Sequence, residues 1–346
     1  MISGNCIETE EYKVKNIGNG TIKFTHKPTI VSYACAMGKK EGEGPMGKYF
    51  DVIEEDEYHG EKSWEQAECG FMKQAVSLAI KKAKLEKDDI DFAVAGDLMN
   101  QCTSSGFFAR EAEIPFLGVY GACSTMAESL AVGATITGGG GAEYVLCATA
   151  SHFCSAEKQF RTPLEYGGQR TPTAQWTVTG SGAVILGKTA APPYIDSVTV
   201  GRVIDLGVCD ANNMGGAMAP AFADTVIRHL EATGRTPYYY DLILSGDLGL
   251  TGMEIAKRLF ERDAVDIGDR YNDCGAMMFE KDQDTHAGGS GCGCSAGILC
   301  GYVLPEMKKG NLHRVLFAAT GALLSPTLTM QGESIPSISH AISIEA

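Results

Sequence analysis

Short apolar runs and amphipathic stretches alternate along this chain. Thr21 to Ala36 carries Ile22, Phe24, Ile30 and Val31 and reads as β structure. A loop of Gly, Lys, Glu and Pro follows from Gly38 to Gly47. Ser63-Trp64-Glu65-Gln66 has the form of a helix capping box. From there to Leu85, Ala67, Phe71, Ala75, Leu78 and Ala79 fall at helical spacing, with Lys and Glu on the other side. Ile90 to Ala95 is a strand that runs into Gly96-Asp97-Leu98-Met99-Asn100-Gln101. Phe116 to Tyr120 reads as a short buried strand, Gly121-Ala122 as a turn, and the segment from Cys123 to the glycines at 138–141 as a helix. Glu143 to Thr149 is again a strand, leading to Ser151 and His152. Thr177 to Leu186 is a strand with a glycine bend, and Tyr194 to Ile204 is strand-like. Pro220 to Thr233 is helical, with Pro near its first turn and Gly234 past its end.

The second half of the chain echoes the first. Asp91 to Leu98 is matched by Asp241 to Leu248, including Asp97 and Asp247. Gly121-Ala122-Cys123-Ser124 is matched by Cys292-Gly293-Cys294-Ser295, and Val145 to Thr149 by Val315 to Thr320. Three echoes in one order, each at a strand end, describe two α/β halves of about 150 residues. The expected division is an arm over 1–20, a first half over 21–190 and a second half over 191–346. Packed face to face, such halves bring the corners at Cys123 and Cys294 near each other.

Composition narrows the function. The 346 residues are 44% hydrophobic and 21% charged, which suits a soluble protein with a sizeable core. A net charge of −14 argues against a nucleic-acid partner and leaves room for a small cationic pocket. The 12 cysteines contain no C-x-x-C pair, and the N-terminus carries no secretory pattern, so a reducing interior is expected. No apolar run approaches the ~18–20 residues of a membrane span. Any membrane role is therefore expected to be peripheral. No cofactor is expected. No D-x-D-x-D-G calcium loop occurs, so no protein metal site is expected either.

Cys123 is the natural focus of the chemistry. At a helix start, unpaired N–H groups and the helix dipole favour a thiolate. The alternative is a small residue filling a tight corner.

Gly121-Ala122-Cys123-Ser124-Thr125 resembles the nucleophile corner of ketoacyl synthases and thiolases. Longer strings resemble one branch of that thiolase-like superfamily, the stage V sporulation protein AD family. Among them are Gly42 to Gly47, Gly96 to Gln101, Ala148 to His152, Gln159 to Gly168, Thr177 to Ala183, Gly215 to Pro220, Ala287 to Cys292 and Ala319 to Thr327. The resemblance spans roughly 22–345. It implies a thiolase-like α/β fold, two pseudo-symmetric halves in an αβαβα layering, and a homodimer paired through a first-half edge strand and the corner segment. It also implies a protein that binds dipicolinic acid (pyridine-2,6-dicarboxylate) or its calcium chelate. Such a protein supports uptake of that ligand into the developing spore with membrane proteins of the same operon, and lies on the cytoplasmic side or at the spore inner membrane. The alternative is an acyl-CoA-dependent condensing enzyme with Cys123 as nucleophile. That chemistry needs a His/His or His/Asn pair from the second half. The chain instead has Gly246-Asp247 and the loop Gly288-Gly289-Ser290-Gly291-Cys292, without His or Asn.

A planar dianion calls for cations and a surface to stack on. The candidate ligand-binding residues are Cys123, His152, Arg161, Lys158, Asp97, Gln101, Asp247 and Asp273, with Arg161 favoured among the cations. Arg110, Arg170 and His286 are further candidates. Asp97 and Asp247, at matched strand ends, either meet the ligand or tie the two halves together.

Overall fold

The computed structural model describes residues 14–160, 170–189 and 191–346. The first half of the chain forms β1 (Val14–Gly18), β2 (Thr21–Phe24), β3 (Thr29–Gly38), α1 (Lys39–Gly42), β4 (Val52–Glu54), α2 (Trp64–Ala83) and β5 (Phe92–Asp97). It continues with α3 (Thr103–Ala112), β6 (Phe116–Gly118), α4 (Thr125–Gly138), β7 (Tyr144–Ser151), α5 (Phe153–Phe160), β8 (Trp176–Thr177) and β9 (Gly180–Gly187). The second half forms β10 (Tyr194–Thr199), α6 (Met214–Thr233), β11 (Leu242–Ser245), α7 (Gly249–Arg262), β12 (Tyr271–Asp273) and α8 (Cys274–Met278). Then come β13 (Gly289–Ser290), α9 (Cys292–Ile298), α10 (Leu304–Lys308), β14 (Arg314–Ala322), α11 (Pro326–Met330) and β15 (Ser337–Glu345).

The strand plan is the same twice over. One run is β3-β9-β7-β5-β6, the other β10-β15-β14-β11-β12. In each run the first two pairings are antiparallel and the last two parallel. The runs join where Tyr194 pairs with Thr29, and β2 lies along β10 from Ser197 to Thr199.

Strand alternation then builds the layers. In β7, Val145 and Cys147 face a central core, while Leu146 and Ala148 face an outer one. In β14, Val315 and Phe317 face the same central core, and Leu316 and Ala318 a third cluster. The central core holds α4 (Met126, Leu130, Ala134) and α9 (Cys294, Ala296, Ile298) between the two sheets. Outside, α2 packs Phe71, Met72 and Ala75 on the first sheet, and α6 packs Met218, Phe222 and Val226 on the second. This is the αβαβα layering of the thiolase-like fold.

Local chemistry explains most elements. The side chain of Ser63 accepts from Gln66 N at 3.3 Å and starts α2. Gly234 ends α6 in the left-handed region. Three expectations change. Strand β6 is an edge strand, and Leu117 is 44% exposed rather than buried. The segment after Gly121 first makes a tight turn over Ala122–Ser124, with Ala122 at φ +50°, and α4 begins at Thr125. Helix α6 begins at Met214, because Asn213 caps Gly216 N at 3.2 Å, so Pro220 lies well inside it.

The corner and strand β14 are in backbone contact. A Cβ on Gly321 would stand 2.0 Å from the Gly121 carbonyl oxygen. Gly321→Ala must therefore push the corner off β14, at a cost of about 1–3 kcal/mol. Its thermal midpoint should fall by several degrees; an unchanged midpoint would show that the corner moves freely.

Candidate functional site

The corner opens into a narrow cleft of about 30 Å³ between the two halves. Its first-half wall is Leu98, Tyr120, Ala122 and Cys123, and α5 adds Ala156, Glu157 and Phe160. Thr177 from β8 and the second-half residues Met214, Ser290, Ala322 and Leu324 complete it. The lining is mostly apolar. Among its described residues there is no lysine, arginine or histidine.

Cys123 is buried at the floor, 4% exposed, with its Sγ 4.0 Å from Ser290 Oγ. Ser290 Oγ donates to Asp247 Oδ2 at 3.1 Å. The same oxygen accepts from Gly291 N at 2.9 Å, and Oδ1 accepts from Thr320 Oγ1 at 2.9 Å. Asp247 is fully buried at the end of β11. Gln175 Nε2 holds this loop to the first half through the carbonyls of Asp247 and Gly289, at 2.7 and 2.8 Å. Where the resemblance expects His and Asn, the structure places Asp247 and Ser290.

This exchange reverses the electrostatics. Burial, then the neighbouring Asp247 carboxylate and Cys292 thiol, push the Cys123 thiol well above its ordinary acidity range. The turn preceding α4 does not offset this, since Ser124 N donates to the Gly121 carbonyl. Of the two readings of this corner, the helix-stabilised thiolate is thus disfavoured, since burial and Asp247 favour the protonated thiol. Burial likewise raises Asp247 to about 6, against the hydrogen bonds that favour its anion. Tyr120 at the mouth is pushed up by burial and by the thiols of Cys123 and Cys292, so its phenol stays a donor.

The other sequence candidates scatter. Asp97 is buried and accepts from Met99 N and from Ser105 N and Oγ at 2.9, 2.7 and 2.6 Å. These are first-half groups, so its carboxylate organises the start of α3 rather than tying the halves together. Asp273 caps two helix starts, accepting from Leu248 N and Gly249 N at 2.8 Å and from Ala276 N at 3.0 Å. Gln101 is exposed and in the left-handed region, outside the cleft lining. His152 is also outside that lining, which corrects the strand-end expectation. Its ring sits 5.3 Å from that of Trp64, with Nε2 2.9 Å from the Glu57 carbonyl and Nδ1 accepting from Cys154 N. Burial holds it below the usual imidazole range, hence neutral. Lys158 turns away from the cleft to pair with Glu65 at 2.6 Å. Arg110 is exposed on α3, Arg170 lies over Trp176, and His286 meets Asp284 at 3.2 Å in a separate groove. Cys294 is buried in the central core. Arg161 lies outside the described residues. Sequence reading missed Tyr120, Phe160 and Ser290. Ser290 was traceable, because it occupies the glycine loop singled out for lacking an Asn.

The fold is shared with thiolase-like enzymes. The 3-oxoacyl-[acyl-carrier-protein] synthase III of Aquifex aeolicus VF5 superposes with a TM-score of 0.58 at 12% identity, over 92% of this chain and 100% of that one. Human mitochondrial 3-ketoacyl-CoA thiolase superposes with a TM-score of 0.57 at 12% identity, over 93% and 99%. The fold is thus thiolase-like, and the described lining of its cleft carries no basic residue. Residues 18–345 match the stage V sporulation protein AD family, and the chain belongs to that family. It is 46% identical over 332 residues to the stage V sporulation protein AD of Bacillus subtilis (strain 168), covering 96% of this chain and 98% of that one.

A thiol kept protonated reacts slowly with alkylating agents. Iodoacetamide near neutral pH should label the exposed Cys209 at least about tenfold faster than the buried Cys123, as read by peptide mass spectrometry. Preferential labelling of Cys123 would overturn the assignment.

Proposed function

We propose that the cleft over Cys123 binds dipicolinate, free or as its calcium chelate. In this reading the protein supports the ligand's uptake into the developing spore, working peripherally with membrane proteins of the same operon. One observation carries the reading. The fold is thiolase-like, but the cysteine at the cleft floor is buried beside Asp247 and Cys292, and burial and these neighbours disfavour a thiolate. A pocket without its reactive ion is suited to holding a ligand rather than to acylation. Membership of the sporulation family supports the choice of ligand. Phe160 and Tyr120 bring aromatic side chains to the lining, as a planar ring would need. Arg161 is assigned to a ligand carboxylate, because it sits inside the family-like string Gln159-Phe160-Arg161. Among the described residues no helix is long and apolar enough to cross a membrane, which agrees with a peripheral role.

Titration calorimetry with disodium dipicolinate should give saturable heat, and Arg161→Ala should weaken binding by about 10–100-fold, the size of a lost charge-assisted hydrogen bond. No heat at millimolar ligand would sink the proposal. An acyl adduct at Cys123 after incubation with acyl-CoA would favour the condensing reaction instead.

We also infer a homodimer. Strand β6 pairs on one side with β5 and leaves its other edge open among the described residues, beside the exposed Leu117 and Phe107. An apolar open edge invites a second copy. Sedimentation equilibrium should report twice the 36.8 kDa chain mass, and Leu117→Glu should return it to one. A monomeric wild type at tens of micromolar would contradict the inference.

A further inference from the structure

The described lining of the cleft offers an anion no cation. At its buried floor lies the polar pair Ser290 and Asp247, with Ser290 Oγ committed to Asp247 Oδ2 at 3.1 Å. While Asp247 is ionised it holds the Ser290 proton in a charge-assisted bond, and the hydroxyl turns lone pairs toward the cleft. That arrangement repels an anion. Once Asp247 is neutral its oxygen is a weaker acceptor, and Ser290 O–H is released to donate to a ligand. Gly291 N and Thr320 Oγ1 still hold the carboxyl in place, at 2.9 Å each.

We propose that this cleft takes up its anionic ligand together with a proton, which settles on Asp247 and turns Ser290 into a ligand donor. The inference rests on the dipicolinate reading above. Ser290 touches the ligand, and Asp247 is a positioning residue acting through it. The groups facing Asp247 are the thiols of Cys123, Cys274, Cys292 and Cys294, the buried Asp273 carboxyl and the hydroxyls of Ser290 and Thr320. None of these is a cation, so the ligand carboxylate not assigned to Arg161 is most cheaply neutralised here by protonating Asp247. Asp247 is already raised to about 6 in the empty cleft, by burial first and then against its hydrogen bonds. Binding raises it further.

The test is calorimetry of disodium dipicolinate with the full chain, in phosphate and in Tris at the same pH, repeated from pH 6 to 8. The difference in heat between buffers counts protons. Wild type should take up close to one proton per ligand at pH 7.5, and its Kd should rise by up to about tenfold per pH unit. Asp247→Asn copies the neutral acid, with its oxygen toward Gly291 N and its amide toward Thr320. It should abolish proton uptake, flatten the pH profile and bind at pH 8 at least as tightly as wild type. Ser290→Ala should lose about tenfold in affinity at pH 6 and little at pH 8. Buffer-independent heat in the wild type overturns the inference while leaving dipicolinate binding intact, and this measurement needs no variant to fold. A pH slope that survives in Asp247→Asn also overturns it, assigning the proton to another group or to the ligand. Absence of binding at every pH overturns this inference and the dipicolinate reading together.

Discussion

Two helices of small residues lie buried between two sheets, and the rest of the molecule follows from that burial. Helix α4 and the segment through α9 are enclosed by strands of both halves in one core. A helix with sheets on both sides has no polar face to spare, which is why α4 reads Thr-Met-Ala-Glu-Ser-Leu-Ala-Val-Gly-Ala-Thr-Ile-Thr-Gly. Both helices begin at the ends of parallel strands, so their entry corners converge. The Gly121–Gly321 contact presses the first corner against β14, and this brings Cys123 within 4.0 Å of Ser290.

The same burial sets the electrostatics. Carboxylates at the strand ends, Asp97, Asp247 and Asp273, are all fully enclosed. Each is held by backbone N–H and hydroxyl donors rather than by a cation. Burial outweighs those donors, and all three are raised above the ordinary carboxylate range. Asp97 and Asp273 spend their oxygens on loop and helix starts. Asp247 alone among these three faces the cleft through Ser290, so the pseudo-symmetric pair of aspartates has divided into a structural member and one tied to the site.

Much of the fold was legible because it rests on short-range chemistry. Ser63 and Gly234 mark helix ends through their own hydrogen-bonding and φ preferences. The alternation in Val145 to Ala148 marks a strand buried on both faces. The echo of Asp91 to Leu98 in Asp241 to Leu248 foreshadowed two strand runs of identical order. The errors fall where a neighbour distant in sequence decides. Phe116 to Gly118 is apolar enough to read as buried, yet β6 ends its sheet and is half open. Pro220 looked like a first-turn residue, yet Asn213 starts the helix earlier.

The sequence by itself determined the layered α/β architecture, its internal repeat, the family and the corner that carries Cys123. These depend on periodicity, turn residues and long matching strings, all written locally. Only the tertiary structure decided what the corner can do. It placed Asp247 and Ser290 over the sulfur, left His152 packed by Trp64, and sent Lys158 to Glu65. Acidity and ligand reach depend on which charges and dipoles meet across the two halves, and those distances arise only when the sheets close over the central helices.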